Sequence, residues 1–244
     1  MTLPLPSHRD EAWRWTDFAA LEAARGIKRL ATVIDRPTML VPIEGPKLVF
    51  IDGYFDEDWS EPEGFELGLI DFESDHPLAR FANGQGYELR FERDSATTLQ
   101  ILHVAAGGEG QLPLKIVAAD DSAVSIVETF VGAGWSNRLT RLELGRSARV
   151  MRSVRLLQDD GFVSIRDEAE LGEGASLATT FLAAGGASTR IDGAAVLAAP
   201  GAYAEIGGAL LARGRQRHDA AMVVRHAAPE GASRQLWRSV VRRG

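Results

Sequence analysis

Hydrophobic and polar residues alternate in short segments through the second half of the chain. Alternation of this kind is typical of β-strands that bury one face. Breaks rich in glycine or aspartate, such as Asp159-Asp160-Gly161 and Gly185-Gly186, separate the segments. The alternating segments are 89–91, 99–102, 126–130, 139–144, 162–165 and, more loosely, 220–224. The pattern predicts an all-β region from about Tyr87 to Gln235.

A repeat of small residues is superimposed on this alternation. A serine or glycine followed by alanine recurs every 25–30 residues, at 122–123, 147–148, 174–175, 201–202 and 231–232. A period of this length indicates stacked coils, each of which completes the core of its neighbours. A sandwich of antiparallel hairpins would also give many short strands. Small residues at one phase of the period favour a parallel β-helix, because stacked corners accept only small side chains.

The N-terminal part has a different pattern. Residues 7–26 are predicted to be helical, with Asp17 or Thr16 as the N-terminal cap. Gly26 stands where a left-handed residue would end the helix. We expect Trp13 and Trp15 to pack this segment against the body of the protein.

Frequent proline and glycine residues interrupt the stretch 37–86, in which Lys47–Ile51 is a clear short strand. We interpret this stretch as an irregular segment that covers the first coils. The predicted organisation is an N-terminal helical and irregular segment (1–86), a β-helix (87–235) and a basic C-terminal tail (236–244).

The amino-acid composition excludes several kinds of site and location. The chain has 244 residues and no cysteine, which excludes disulfides, thiolate nucleophiles and cysteine-ligated zinc or iron–sulfur sites. It has neither an apolar run that could span a bilayer nor a recognisable secretion signal at its N-terminus, so we expect a cytoplasmic protein with no membrane partner.

Charge is unevenly distributed around the net value of −7. Residues 44–75 include eleven acidic residues and one lysine, whereas residues 213–243 include eight arginines and two acidic residues. Solvated faces of opposite sign would explain this distribution, and a basic docking surface at the C-terminal end is the functional alternative. A nucleic-acid partner is not expected, because no basic motif interleaved with aromatic residues is present.

Catalytic motifs are absent from the sequence. It contains no phosphate-binding loop, dinucleotide fingerprint, zinc-protease motif or nucleophile elbow. His218, Asp219 and His226 lie within nine residues and could form a metal site. Adjacent strand residues point to opposite faces, however, so we interpret His218 and Asp219 as polar residues that close the last coil. No catalytic, cofactor-binding or metal-ligating residue is predicted.

Three parts of the chain resemble the SufB/SufD family of iron–sulfur cluster assembly scaffold proteins. They are Glu11–Asp17, Leu48–Phe55, and the late segment Gly214–Asp219 followed by His226–Leu236. The resemblance is closer to the SufD branch and runs in order along nearly the whole chain.

The resemblance implies a right-handed parallel β-helix in a non-enzymatic scaffold subunit. In this family SufB and SufD pair through their β-helices, and each engages the ATPase SufC through its C-terminal region. The cluster is built at the SufB–SufD interface, with SufD supporting iron acquisition. The resemblance therefore implies that the complex handles the cluster and that this chain alone binds no cofactor.

The sequence departs from the family pattern at its end. It ends at Gly244, whereas family members continue through further coils and a helical domain that carries a Cys-x-His stretch and the SufC-docking segment. We therefore expect an open last coil that is covered by a SufB-like subunit or a second copy of the chain. The candidate partner-binding residues are His218, His226, Ser233, Arg234, Trp237 and Arg238.

Two alternatives stay open at this point. The first is a carbohydrate-acting β-helix enzyme, which would need acids such as Asp192, Glu205 and Asp219 to converge in one groove. The second is a shortened SufD-like remnant without a current role.

Overall fold

The structure, a computed structural model, describes residues 3–28 and 40–242. It contains one α-helix, α1 (Phe18–Arg25), and short 3-10 turns at Glu11–Trp13, Glu57–Trp59 and Ala79–Ala82 in these ranges. The strands are β1 (Lys47–Ile51), β2 (Tyr54–Phe55), β3 (Glu66–Phe72), β4 (Gly84–Phe91), β5 (Ala96–Ala105), β6 (Glu109–Ala118), β7 (Ala123–Leu144), β8 (Arg149–Leu156), β9 (Asp160–Leu171), β10 (Ser176–Ala183), β11 (Ser188–Leu197), β12 (Tyr203–Arg213), β13 (Arg217–His226) and β14 (Ala232–Arg242).

The strands form a β-solenoid of about six turns, which confirms the predicted parallel β-helix. Its first sheet runs in the order β1-β5-β7-β8-β10-β12-β14, and all of these neighbours are parallel. Its second sheet runs β4-β6-β7-β9-β11-β13, also in parallel. The long strand β7 belongs to both sheets, since its first half pairs with β8 and its second half with β9.

The repeat of small residues is a stacked corner between the second sheet and the first. Ser122, Ala148, Ala175 and Ala202 occupy this corner and are fully buried. The backbone N–H of Ser176 donates to the carbonyl of Ala148 at 2.8 Å, and the same bond recurs from coil to coil. The corner therefore accepts small side chains only, as the repeat predicted.

In the first and last of the five Ser/Gly-Ala pairs of the sequence repeat, the alanine lies one residue past the corner. Ala123 pairs with Arg149 and Ala232 with Tyr203, so neither alanine lies in the corner. Ser122 takes the corner position in the first of these coils, where its hydroxyl donates to the carbonyl of Ala119 at 2.7 Å. Strand register fixes the corner, and a small polar residue fills it as well as alanine does.

A column of left-handed residues precedes the corner column. One residue in each coil has a φ between 55° and 71°, namely Asp94, Asp121, Ser147, Gly174, Gly201 and Glu230. Gly174 and Gly201 of the sequence repeat therefore adopt the left-handed backbone conformation, which costs free energy for residues other than glycine.

Substitution of Gly174 tests this conformation. A Cβ at Gly174 would lie 3.7 Å from Ser147 Oγ, so space is available and only the positive φ is unfavourable. We expect Gly174→Ala to lower the free energy of unfolding by about 1 kcal/mol. Ser147→Gly should change it in the opposite direction. Urea denaturation measures both, and equal stability of Gly174→Ala and the wild type would contradict the prediction.

The N-terminal segment lies on the outer face of the second sheet. Trp13 and Leu21 are buried there against Trp135 and Phe162. The Asp17 side chain caps α1 as predicted, because its Oδ1 accepts a hydrogen bond from the Ala20 N–H at 3.1 Å. The amphipathic segment therefore covers part of one sheet.

Two expectations for this segment are wrong. Trp15 is 70% exposed, because it follows the 3-10 turn that buries Trp13 and so points away from the sheet. Gly26 has a φ of −85°, since its N–H bonds to the carbonyls of Ala23 and Ala24 and the helix ends without a left-handed residue.

The strands run across both of the domain boundaries expected from the sequence. The predicted strand at Lys47–Ile51 is present, and it stacks in parallel on β5 as part of the first sheet. At the other end, β14 continues to Arg242 through most of the expected tail. Residues 37–39 of the expected irregular segment and 243–244 of the tail lie outside the described residues.

Candidate functional site

The six candidate residues lie together on the last coil. His218 and His226 are on β13, and Ser233, Arg234, Trp237 and Arg238 are on β14. In the described part of the chain β13 pairs only with β11, and β14 only with β12. One backbone edge of each strand is therefore unpaired, and parallel strands could continue from it.

The polar candidates form separate contacts and not one constellation. His226 Nε2 lies 2.9 Å from Ser233 Oγ across the corner. Arg234 Nη1 lies 3.3 Å from Glu205 Oε1 on the preceding coil. Neither contact shields the unpaired backbone edge, and both lie at the surface.

Trp237 closes the end of the core. Its ring stacks on Phe181, two coils away, with a centroid distance of 5.9 Å and an interplanar angle of 18°. Gly208 lies between them in the register, and a Cβ there would collide with the Phe181 carbonyl oxygen. The indole therefore has a packing role, whereas Arg238 is exposed on the outer face of the first sheet.

The metal-site alternative finds no support in the geometry. His218 Nε2 lies 3.2 Å from the Leu211 carbonyl oxygen, and burial lowers the pKa of this imidazole. Asp219 faces Thr16 of the N-terminal segment, and burial raises the pKa of its carboxyl. Within residues 3–28 and 40–242, no three His, Asp or Glu side chains are grouped to hold a metal ion.

The three acids proposed for a carbohydrate-acting enzyme do not converge in one groove, although Asp192 and Asp219 lie on adjacent strands of the second sheet. Asp192 lies on the second sheet, where Arg190 Nη2 donates to its Oδ1 at 2.6 Å and His76 Nε2 lies 3.4 Å from its Oδ2. Trp13 covers this pair, with the Arg190 guanidinium 4.8 Å from the indole ring. Glu205 lies on the other sheet.

Sequence reasoning missed a buried ionic cluster inside the solenoid. It consists of His103, Glu128, Arg138, Arg152 and Asp167, all of which are buried. Arg152 donates to Glu128 Oε1 at 2.9 Å and to Asp167 Oδ2 at 2.8 Å. Arg138 also bonds both carboxylates, with a distance of 3.2 Å to Asp167 Oδ1. We name this set the ionic cluster.

Electrostatics favour the charged form of Glu128 in the ionic cluster. Burial alone would raise the pKa of Glu128, but the guanidiniums of Arg138 and Arg152 outweigh burial and hold this pKa well below its ordinary value. Burial lowers the pKa of His103, whose ring stacks on Phe130 at a centroid distance of 4.1 Å. Two guanidiniums thus face two carboxylates, and each carboxylate is occupied by both arginines.

The sequence did carry a signal for the ionic cluster. Glu128 falls between Ile126 and Phe130 at the inward phase of its strand, and Arg152 falls between Val150 and Val154 in the next coil. A charge at the inward phase of two successive coils indicates a buried pair, since an unpaired charge there would be very costly.

The family model for SUF system FeS cluster assembly, SufBD core domain, matches residues 103–244. This match covers more than half of the chain. The chain belongs to the SufBD core domain family. A comparison with curated proteins found no match.

Membership of the SufBD family supports a role in iron–sulfur cluster assembly. The matched residues begin on β5 and include the ionic cluster and all six candidate residues. None of the described helices is long and apolar enough to cross a bilayer. The chain has no cysteine, and no three of its described acids and histidines are grouped to hold a metal ion.

Proposed function

We propose that this chain is a SufD-like, non-enzymatic scaffold subunit that works with a SufB-like protein in the cytoplasm. Family membership supports the cluster-assembly role, and the zero cysteine count agrees with a supporting subunit. A SufC-like ATPase is the further partner that this proposal includes.

The open last coil carries the proposal. Within the described residues, both β13 and β14 present an unpaired backbone edge over ten or more residues. Inward-phase residues of β14 such as Ser233, Gln235 and Val241 are exposed there, because no further coil lies over them in the described structure. A partner strand would satisfy the free backbone groups and cover these side chains.

A single backbone N–H tests the edge. The Ala232 N–H donates to the Ala202 carbonyl at 3.0 Å, and N–H direction alternates along a strand, so the Ser239 N–H points to the unpaired edge. We expect Ser239→Pro to leave the fold intact but to reduce recovery of a co-expressed SufB protein by about tenfold, since proline removes that donor. Ser239→Ala keeps the N–H and should pair normally.

Affinity purification of the tagged full chain, co-expressed with SufB and SufC proteins, measures these outcomes. Circular dichroism checks that each variant is folded. Normal recovery of SufB by a folded Ser239→Pro variant would contradict pairing through this edge. Failure of the wild type to retain either protein would contradict the proposed function as a whole.

A further inference from the structure

The two sheets of the solenoid differ in how their outer faces are covered. The N-terminal segment lies on the second sheet, where Trp13 and Leu21 pack on Trp135 and Phe162. On the first sheet, residues 40–46 cover only the early coils, where Gln100 bonds the backbone of Val41 and Ile43. From β8 to β14 no described segment crosses the first sheet. We call this surface the bare face.

A shallow groove runs across the bare face. Gly207 forms part of its floor, since it occupies an outward position between Thr180 and Leu236 and has no side chain to fill the space. The groove has a volume of about 520 Å³ and is lined by side chains of β10, β12 and β14, among them Thr180, Leu182 and Leu236. Leu236 in the groove is 46% exposed, and Met151 on β8, outside the groove, is 62% exposed.

Arginine dominates the charge of the bare face. Strand alternation places six guanidiniums there, on Arg149, Arg155, Arg213, Arg234, Arg238 and Arg242. Among the described residues the only carboxylate on this face is that of Glu205, which Arg234 already neutralises at 3.3 Å. The face is therefore apolar along its centre and positive at its margins, although the whole chain has a net charge of −7.

We propose that the bare face binds an acidic amphipathic helix of a partner protein. The chain shows on its own second sheet that an amphipathic helix fits the outer face of this solenoid, because α1 buries Leu21 and Ala24 there. An acidic helix would place apolar residues on the groove and carboxylates beside Arg149 and Arg238. Nucleic acid would satisfy the arginines but would leave the apolar centre exposed to water.

This surface is separate from the edge that the proposed function uses. The bare face consists of side chains that stand perpendicular to the first sheet, whereas partner pairing uses backbone groups in the plane of the sheet. The two proposals can therefore fail independently.

A labelled synthetic peptide tests the proposal. The probe is a fluorescein-labelled helix of about five turns, with leucine on one face and glutamate on the other. Titration with the purified full chain, followed by fluorescence anisotropy, should give saturable binding that weakens as salt rises. Leu236→Asp and Arg238→Glu should each weaken binding by about tenfold, because they place negative charge against an acidic ligand.

Matched substitutions on the other sheet serve as controls. Val223 is 66% exposed on the outer face of β13, so Val223→Asp and Arg225→Glu repeat the same changes away from the groove. They should leave binding unchanged. The proposal is overturned if the peptide does not bind, if a scrambled peptide of the same composition binds equally well, or if the control variants lose as much affinity. Tighter binding of a DNA duplex than of the peptide would identify the face as a nucleic-acid surface and would also overturn it.

Discussion

Glu128→Gln is expected to lower the free energy of unfolding by about 3–5 kcal/mol. The substitution keeps the size of the side chain but leaves Arg138 and Arg152 with Asp167 as their one remaining carboxylate inside the solenoid. Breaking a buried ion pair from one side is costly, because the remaining charge has lost both water and its partner. Chemical denaturation of the wild type and the variant measures the difference.

The matched control is Glu170→Gln, on an exposed position of β9. It should change stability by less than about 0.5 kcal/mol, as surface substitutions usually do. A Glu128→Gln variant with the stability of this control would show that the ionic cluster contributes nothing to the fold.

Glu128→Gln should also change how the free energy of unfolding depends on pH. Because the pKa of Glu128 is lower in the folded than in the unfolded chain, its contribution is present above its ordinary value of 4.5 and is lost as the pH falls below it. His103 acts in the same direction at higher pH, since burial lowers its pKa from 6.5. Below pH 4.5 the variant should therefore lose stability less steeply than the wild type.

Ala175→Leu is expected to lower the free energy of unfolding by about 3 kcal/mol or more, or to prevent folding. Ala175 is fully buried in the corner column between Ala148 and Ala202, so a larger side chain has no space without separating adjacent coils. Ala175→Ser is the matched control, because serine already occupies the equivalent corner position at Ser122. Thermal unfolding compares the two variants, and a stable Ala175→Leu protein would contradict the tight corner.

Much of the fold could be predicted from the sequence, because the corner selects residues by size. Ala148, Ala175 and Ala202 are small for the reason that the repeat suggested. The same logic misaligned Ala123 and Ala232, since strand pairing decides which of two adjacent small residues enters the corner. The spacing of small residues thus predicts the length of each coil, but only the strand register shows which residue of each pair lies in the corner.

The candidate site was predictable in part. The sequence pattern puts Trp237 and Arg238 in a tail, whereas the structure places all six candidates on the strands of the last coil. The inward packing of Trp237 against Phe181 needs the space left by Gly208 on the coil between them, which no local pattern reveals. The ionic cluster escaped prediction because its members are contributed by three coils and meet only when the chain is wound. The exposure of Trp15 has the same origin, since a 3-10 turn and not a continuous helix precedes it.

The coil-to-coil register suggests how proteins of this architecture can change in length. Strands β8, β10 and β12 pair with offsets of 27 residues, as between Ser176 and Tyr203. Insertion or loss of one such unit would preserve every inward and outward phase and would move the terminal edge by one strand spacing, about 4.8 Å. The length of the solenoid can therefore change by whole coils, which alters the distance between its two ends without changing the sequence of either end.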